Sequence, residues 1–354
     1  MQPVKTGIVG CGKICPAYVN NLKAHFAHLV DVVACADIDA NTAKACADEL
    51  GIPAACTTDE LLARSDIELV VNLTNPGAHH PVSMRALEAG KHVFVEKPLA
   101  TTLELASELV ETAASAELTL AGAADTFLGA GLQTCRVLMD RGEIGEIGTA
   151  QALIALGFKS DRYLTVYGGP LFDMAPYYTT ALVALLGPVV RVTGFVSVGP
   201  GERDTSSVLA FPFETPLTAA AVLEFRSGLI ATLHASAEGC CYLPRVDIFG
   251  SDATLRLTDA NSCSGTVVVR DREQNERTVA LEKGFSEQGR GLGVAEQALA
   301  IREGRSPKAD GRLGYHVLDI LHAVRVSAKD GRAVRLESTC EQPGVFDAAS
   351  VLGE

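Results

Sequence analysis

Two patterns of hydrophobic and polar positions divide the chain. In residues 1–123, uninterrupted apolar runs alternate with segments whose apolar residues recur at helical spacing. We interpret the runs as strands: VKTGIVG (4–10), DVVACADI (31–38), IELVVNLT (67–74), HVFVE (92–96) and LTLAGA (118–123). Helices are predicted after Pro16, near residues 40–50, from Pro81 and from Thr102. Strands that are apolar on both faces and separated by helices predict an α/β fold with an open, doubly wound, mostly parallel sheet.

In residues 124–354 the apolar positions alternate with polar ones instead. The predicted strands are TAQALIALGF, RVTGFVSV, AAVLEFRSGLIATLHAS, RVDIFG, TLRLTD and TVVVRD, and the third of these is a hairpin that turns at Ser227-Gly228. Helical patterns cover 128–141, 291–303 and 312–328. We therefore predict an α+β domain around a large, mostly antiparallel open sheet, with a C-terminal segment that packs back on the first domain.

Length and charge narrow the classes of function. A chain of 354 residues exceeds the roughly 250–300 residues of a single core and supports two domains. The net charge of −13, without a basic cluster, disfavours nucleic acid and anionic lipid as partners. The opening MQPVKTGIVGCG has no signal-peptide pattern, and no run approaches the roughly 18 apolar residues of a membrane span. We expect a cytoplasmic protein.

The ten cysteines are mostly single residues in apolar patterns, which is typical of a reducing compartment. Cys11 and Cys15 are four residues apart, and Cys240 and Cys241 are adjacent. Neither pair has a second pair or a histidine at zinc-site spacing, so we predict no metal site.

The first strand runs into GCGKIC, which fits the dinucleotide-binding pattern G-x-G-x-x-G/A at its first two glycines. Gly10 permits the tight turn, and Gly12 allows the backbone to approach a pyrophosphate. Lys13 and Ile14 open the helix, whose first N–H groups face that charge. Cys15 departs from the pattern in the third position, but its side chain is small enough for close packing.

The second strand ends in ADID, which places Asp37 where an acidic residue binds the ribose hydroxyls of the cofactor. The alternative is that Asp37 only caps the helix at Asn41. Because a carboxylate repels a 2′-phosphate, we predict NAD as the cofactor in preference to NADP.

Two further strands deliver polar residues to the same edge of the sheet. Thr74, Asn75 and Pro76 follow the third strand, and Glu96 and Lys97 end the fourth. Ligands of open α/β sheets bind at the carboxyl ends of the strands. These five residues are therefore predicted at the cofactor site.

The motifs GIVGCGKI, ADID, TNPGAH, ALEAGKHVFVEKPLA, GGPLFDMAPYY and RGLGVAEQALAI occur in this order over nearly the whole chain. Together they resemble the Gfo/Idh/MocA family (glucose-fructose oxidoreductase, inositol dehydrogenase and rhizopine catabolism proteins). The resemblance implies a Rossmann dinucleotide-binding domain (1–123) and a substrate-binding and oligomerisation domain (124–354), with the open sheet forming homodimer or homotetramer contacts. It also implies hydride transfer between NAD(P) and a carbinol carbon of a sugar, cyclitol or related polyol.

The resemblance assigns roles to individual residues. Lys97 is similar to the family lysine that contacts the substrate hydroxyl, and Glu96 to a glutamate of the cofactor pocket. Pro98 resembles a proline whose preceding bond is often cis. His79 resembles a histidine near the cofactor.

The segment GGPLFDMAPYY resembles a family motif with an aspartate and, four residues later, a histidine. Asp173 keeps the acid, and Tyr177 replaces the histidine, as in some branches of the family. The resemblance implies that Tyr177 exchanges the proton, its pKa lowered by Lys97, and that Asp173 orients the substrate. Alternatively, Tyr177 is a core aromatic residue and Asp173 caps its helix.

The substrate is left open at this stage. The segment 157–169, with Lys159, Arg162 and Tyr163, is either a substrate-contacting segment or an ordinary surface loop. The alternative functions are a dihydrodiol or keto-sugar dehydrogenase and a non-catalytic, dinucleotide-sensing regulator of the same fold.

Overall fold

The computed structural model describes residues 2–157, 160–199, 210–282, 284–287 and 289–353, and the backbone alone at residue 161. The chain forms two compact units. The first unit contains residues 1–125, 290–314 and 349–354, and the second contains 126–289 and 315–348. Later segments of the chain thus complete the first unit.

The first unit is built on a six-stranded sheet in the order β3-β2-β1-β4-β5-β6. Its strands are β1 (Val4–Val9), β2 (Val30–Ala36), β3 (Ala55–Cys56), β4 (Leu69–Asn72), β5 (His92–Val95) and β6 (Leu120–Gly122). All their pairings are parallel. β4 is buried throughout, as its mostly apolar sequence predicts. The predicted doubly wound sheet is confirmed, and its strand order is that of a Rossmann fold.

The helices of the first unit are α1 (Cys15–His25), α2 (Ala40–Leu50), α3 (Thr58–Ala63), α4 (Pro76–Glu88), α5 (Leu103–Ser115), α9 (Leu292–Glu303) and α11 (Ala349–Leu352). The prediction that Pro81 opens a helix is wrong, because α4 begins at Pro76 and contains Pro81. Pro76 takes the first helical position, where the backbone N–H that proline lacks would have no hydrogen-bond acceptor within the helix. The short β3 and α3 were not predicted, although Thr57 and Glu60 form a capping box at α3.

The second unit contains a nine-stranded sheet in the order β14-β13-β12-β11-β7-β10-β9-β8-β15. Its strands are β7 (Ile147–Ala155), β8 (Val189–Ser197), β9 (Thr218–Phe225), β10 (Ile230–Ser236), β11 (Leu243–Gly250), β12 (Ala253–Leu257), β13 (Val267–Asp271), β14 (Glu276–Val279) and β15 (Val334–Arg335). Only β7 and β10 pair in parallel among the described strands of this sheet. The mostly antiparallel sheet is therefore confirmed, including the hairpin of β9 and β10.

The second unit also contains α6 (Ala130–Asp140), α7 (Asp161–Tyr167) and α8 (Ala175–Leu186), and α10 (Gly311–Asp330) begins in the first unit and ends in the second. A 3₁₀ turn (Asp125–Leu128) precedes α6, and a π-helical turn (Pro170–Met174) precedes α8. Much of segment 157–169 is thus helical instead of a loop, while Lys159 lies outside the described residues. No helix in the described part of the chain is long and apolar enough to span a bilayer.

Candidate active site

The glycine loop between β1 and α1 has the geometry of a pyrophosphate site. Gly10 has φ +99°, and a Cβ there would lie 2.7 Å from the Leu73 carbonyl carbon, so a larger residue does not fit. A Cβ on the exposed Gly12 would meet no atom within 4 Å, which leaves its backbone open to a ligand. At the start of α1, Ile14 makes no side-chain cap, and no acidic residue occupies the first turn. This helix N-terminus can therefore receive an anion.

Asp37 lies against the same loop. Its Oδ2 accepts a hydrogen bond from the Cys11 N–H at 2.8 Å, and its Oδ1 accepts one from the Asp39 N–H at 3.0 Å. The cap of α2 is Asp39, which accepts from the Asn41 N–H at 3.1 Å. The capping alternative for Asp37 is therefore wrong, and the position of this carboxylate at the glycine loop agrees with a ribose contact.

A buried asparagine organises the loop after β4. Asn72 donates from Nδ2 to the His79 carbonyl at 2.9 Å and to the Ser83 hydroxyl at 3.0 Å, and its Oδ1 accepts from the Thr74 hydroxyl at 2.6 Å. Asn75 precedes α4 without a side-chain cap, and Pro76 begins the helix. The sequence analysis did not single out Asn72, although an amide within the apolar run LVVNLT was a visible signal.

His79 joins the segments that follow β4 and β5. Its Nδ1 lies 2.7 Å from the Pro98 carbonyl, and its Nε2 lies 3.1 Å from the Thr74 carbonyl. Burial lowers the pKa of His79, which favours a neutral ring that donates to only one of these oxygens. The Lys97–Pro98 peptide bond is cis, as the resemblance implied. His79 therefore contacts the backbone directly after Lys97.

Glu96 is a buried carboxylate that stays ionised. Its Oε1 accepts from the Tyr18 hydroxyl at 2.8 Å, and its Oε2 accepts from the Lys97 N–H at 3.0 Å. Burial by itself raises the pKa of Glu96, but the charges of Lys97 and Arg290 and the Tyr18 hydrogen bond outweigh it, so the pKa is below its usual value. The half-buried Lys97 thus has a negative charge beside it at the end of β5.

A second buried acid belongs to this neighbourhood. Asp125 accepts from the Gly293 N–H through Oδ2 at 2.7 Å. Burial raises the pKa of Asp125 to about 6, although Arg290 acts in the opposite direction. The sequence analysis missed Tyr18, Asp125 and Arg290 as parts of the site. Arg290 opens the quoted motif RGLGVAEQALAI, which was the one available signal for it.

In the second unit, Asp173 lies in the π-helical turn, a feature that is frequent at functional sites. The N-cap residues of this turn and of α8 are Gly169 and Met174, so the alternative that Asp173 caps a helix is wrong. Burial and the adjacent Asp173 carboxylate raise the pKa of Tyr163, which remains a neutral phenol. Tyr163 is therefore a buried partner of Asp173 and not part of a surface loop, whereas Arg162 is exposed.

Two adjacent tyrosines of α8 are both buried. Tyr178 donates to Asp259 Oδ1 at 2.9 Å, and Tyr242 donates to Asp259 Oδ2 at 2.9 Å. Burial and the Asp259 charge raise the pKa of Tyr178, so its hydroxyl is held in a structural pair. Tyr177 is 3% exposed. The sequence analysis missed Asp259 and Tyr242, because nothing local links them to α8.

Comparison with protein families supports a dinucleotide-binding domain in the first part of the chain. The family model described as an oxidoreductase family with an NAD-binding Rossmann fold matches residues 4–123, and the GFO/IDH/MocA C-terminal domain matches residues 132–256. The chain belongs to the Gfo/Idh/MocA family. It is an NAD-binding oxidoreductase, so the predicted enzyme class and the predicted cofactor NAD are confirmed.

Several Gfo/Idh/MocA relatives are named for sugar or cyclitol chemistry. Myo-inositol 2-dehydrogenase of Thermotoga maritima is 24% identical over 355 residues, which cover 94% of this chain and 99% of the relative. A dTDP-3,4-didehydro-2,6-dideoxy-alpha-D-glucose 3-reductase of Streptomyces violaceoruber is 30% identical over 200 residues, which cover 55% of this chain and 58% of the relative.

Solved structures share the Gfo/Idh/MocA fold over nearly the whole chain. Levoglucosan dehydrogenase in complex with NADH and L-sorbose has a TM-score of 0.83 at 20% identity and covers 96% of this chain and 100% of that one. The WlbA dehydrogenase of Bordetella pertussis in complex with NADH and UDP-GlcNAcA has a TM-score of 0.78 at 22% identity, covering 94% and 99%. At these identities the likeness establishes the fold.

Proposed function

We propose that this protein is an NAD-dependent dehydrogenase that transfers hydride between the nicotinamide ring and a carbinol carbon of a sugar, cyclitol or related polyol. The observation that carries the proposal is the pair Glu96 and Lys97 at the carboxyl end of β5, in the same unit as an open glycine loop. A buried, ionised Glu96 beside Lys97 is a charged arrangement that a merely structural strand end does not need. The inositol and levoglucosan dehydrogenases among the relatives support the substrate class.

Lys97 is proposed to contact the hydroxyl that reacts. Oxidation of an alcohol removes its O–H proton while hydride leaves the carbon, and NAD, when bound, would supply the acceptor for that hydride. The Lys97 ammonium stabilises negative charge that develops on the oxygen, while Glu96 holds the lysine through charge and through the backbone N–H. His79 is a positioning residue in this proposal, because its ring contacts the Pro98 carbonyl.

Tyr177 is proposed to exchange the hydroxyl proton, and Asp173 to orient the substrate hydroxyls. Two considerations support this: the family motif with tyrosine in the histidine position and the π-helical turn that carries Asp173. Tyr178 is not assigned a chemical role, because Asp259 accepts its proton in a hydrogen bond.

The proposed cofactor site is built from residues of the first unit. It comprises Gly10, Gly12, Lys13, Ile14, Asp37, Thr74, Asn75, Pro76, His79, Glu96 and Lys97. Both carboxylate oxygens of Asp37 are held by backbone N–H groups, so its charge has a fixed place. A fixed carboxylate binds two ribose hydroxyls and repels a 2′-phosphate, which favours NAD over NADP.

The outward face of the second sheet is proposed to form a homodimer or homotetramer contact. Phe195, Val222 and Ile230 are 75%, 44% and 50% exposed, and the strand register places them on one face. Exposed apolar residues on a sheet face are typical of interfaces. Sedimentation of the wild type and of Phe195→Glu tests this, and a monomeric wild type would contradict it.

We also propose that the protein works in the cytoplasm or another reducing compartment. All ten cysteines are free thiols. Titration of ten reactive thiols in the unfolded protein, purified without reductant, would support this, and a disulfide-bonded product would contradict it.

A substrate panel tests the proposed reaction. Purified protein is incubated with NAD and, separately, with cyclitols, sugars, keto-sugars and dihydrodiols, while the absorbance of the reduced nicotinamide is followed. Oxidation of a cyclitol or sugar is expected. Turnover confined to dihydrodiols or keto-sugars would move the enzyme to that class, and NAD binding without turnover on any of them would favour a dinucleotide-sensing regulator.

A further inference from the structure

Three thiols meet beneath the glycine loop. The Sγ atoms of Cys11, Cys15 and Cys46 all lie within 4.8 Å of one another, and those of Cys15 and Cys46 are 3.6 Å apart. Cys11 belongs to the loop, Cys15 begins α1, and Cys46 lies in α2. Cys15 and Cys46 are buried and Cys11 is half-buried. Among the residues that the structure describes, no other group of three His, Cys, Asp or Glu side chains converges in this way.

We propose that Cys11, Cys15 and Cys46 bind a thiophilic d¹⁰ cation of the Zn²⁺ class. With Zn–S bonds of about 2.3 Å, the sulfurs of a tetrahedral site lie about 3.8 Å apart, so the cluster needs only small shifts. An all-sulfur donor set selects soft cations over Mg²⁺ or Ca²⁺. Three protein ligands leave a fourth position, which water or the neighbouring Cys35 thiol can take. The fold thereby supplies Cys46 as the third ligand that Cys11 and Cys15 lack in the sequence.

Binding changes the charge of the cluster. Cys11, Cys15 and Cys46 carry no formal charge as thiols, whereas a bound cation requires them as thiolates. A divalent cation displaces three protons, and the three thiolates with one Zn²⁺ carry a net charge of −1. This negative charge lies next to the loop assigned to the pyrophosphate. Zn²⁺ is therefore expected to weaken NAD binding, and NAD to weaken Zn²⁺ binding by the same factor.

The metal site is tested without reference to activity. Cd²⁺ is titrated into the reduced protein while the ultraviolet thiolate-to-metal charge-transfer band is followed. The background is Cys240→Ser/Cys241→Ser, which removes an exposed adjacent pair that could bind Cd²⁺ by itself. One Cd²⁺ per chain is expected, with a band that corresponds to three thiolates. Zn²⁺ should displace it.

Two variants of one ligand keep the result interpretable. Cys46→Ser and Cys46→Ala should lower the band to two thiolates. Because mutation of a residue that only hydrogen-bonds to a metal ligand costs about 10- to 100-fold in affinity, loss of the ligand itself should weaken Cd²⁺ binding by more than that. Cys56→Ser, a half-buried thiol of the same unit outside the cluster, is the control and should bind like its parent. A band of fewer than three thiolates, or one unchanged in both Cys46 variants, would overturn the proposal.

The coupling to the cofactor rests on the proposed cofactor site and has its own readout. The chain contains no tryptophan, so the fluorescence of added NADH reports binding without that background. Saturating Zn²⁺ should weaken NADH binding by about 5- to 150-fold, the usual range of site coupling, and Cys46→Ala should lose this effect. Equal NADH affinity with and without Zn²⁺ in the parent would refute the coupling even if the thiolate band is present.

Discussion

The two units hold their proposed site residues in different ways. In the first unit, Asp37 and Glu96 follow parallel strands, and backbone N–H groups of Cys11 and Lys97 bind their carboxylates. In the second unit, Asp173 and Tyr177 lie on a π-helical turn and on α8, and the group beside the Asp173 carboxylate is the Tyr163 side chain of α7.

This difference has a chemical consequence. Carboxylates that backbone N–H groups hold at the ends of strands are well placed to bind a cofactor whose shape does not change. Groups on a helix that is packed by side chains can differ between relatives without changes to the sheet, as the replacement of the family histidine by Tyr177 illustrates. In the proposed function, cofactor binding and charge stabilisation belong to the first unit, and proton exchange and substrate orientation belong to the second.

The largest effect on turnover is expected from Lys97→Met, which removes the ammonium group that is proposed to stabilise negative charge on the reacting oxygen. Loss of one such donor costs about 10²- to 10³-fold in turnover, and a full positive charge belongs at the upper end of that range. NADH affinity, measured by fluorescence, should change little. Lys44→Met, at an exposed lysine of α2 paired with Asp48, is the matched control. Turnover of Lys97→Met within a few-fold of wild type would remove this residue from the mechanism.

Tyr177→Phe tests the role of the second unit. Turnover should fall by about 10²-fold or more, as for loss of a general acid–base, and the limb of the pH profile that reports this group should disappear. Tyr178→Phe is the matched control, since it breaks the Asp259 hydrogen bond. It should cost about 1–2 kcal/mol of unfolding free energy and leave the shape of the pH profile intact. Identical pH profiles for Tyr177→Phe and wild type would show that another group exchanges the hydroxyl proton.

Asp37→Ser tests the cofactor preference of the first unit. The wild type should use NAD with higher catalytic efficiency than NADP, because the anchored carboxylate repels the 2′-phosphate. Removing the carboxylate should shift the ratio of the two efficiencies toward NADP by about tenfold, which corresponds to about 1.4 kcal/mol. Steady-state kinetics with both cofactors measure this ratio. Comparable efficiencies in the wild type would contradict the assignment.

The last predictions concern the pH dependence of the unfolding free energy, for which the two units should respond in opposite directions. The folded state raises the pKa of Asp125 to about 6 from 3.8, so it binds more protons than the unfolded state in this window. Stability from this group is therefore lost as the pH rises through the window, by at most about 3 kcal/mol. Asp125→Asn should remove the loss. Urea unfolding below and above the window measures it, and equal pH dependence in both proteins would contradict the burial argument.

His316 in the second unit should act with the reverse sign. Its Nε2 accepts from the Val189 N–H at 3.1 Å, and burial lowers the pKa of His316 to about 4 from 6.5. The unfolded state binds more protons between these values, so stability is lost as the pH falls through them. Comparing His316→Gln with wild type over this range should show a shallower dependence for the variant.

The sequence predicted the parts of the site that depend on local backbone chemistry. Gly10 predicts a tight turn, and Gly12 predicts a backbone that a pyrophosphate can approach. The position of Asp37 at the end of the next strand predicts its place at the cofactor site. The sequence offered only the motif RGLGVAEQALAI as a signal for Arg290, and it offered none for Asp259, which lies 81 residues from Tyr178. Cys46 is the clearest case, since the fold brings it to Cys11 and Cys15 from α2.

One wrong prediction and one open alternative arose where two residues compete for one local role. Pro76 and Pro81 could each open a helix, and the register of α4 decides between them only in the folded chain. Asp37 and Asp39 could each cap α2, and the contact of Asp37 with the glycine loop leaves the cap to Asp39. Burial against Asp173 likewise excludes the surface-loop alternative for Tyr163, and periodicity in so short a helix does not reveal this burial.

The most direct test of the central claim is the transfer of hydrogen itself. The substrate found in the panel is deuterated at its carbinol carbons and incubated with protein and NAD, and the reduced cofactor is analysed by mass spectrometry. The account predicts one deuterium in each reduced nicotinamide, in equal amount to the oxidised product. A reduced cofactor that carries no deuterium would contradict the account, and so would NAD that binds to the protein but is not reduced to the deuterated form.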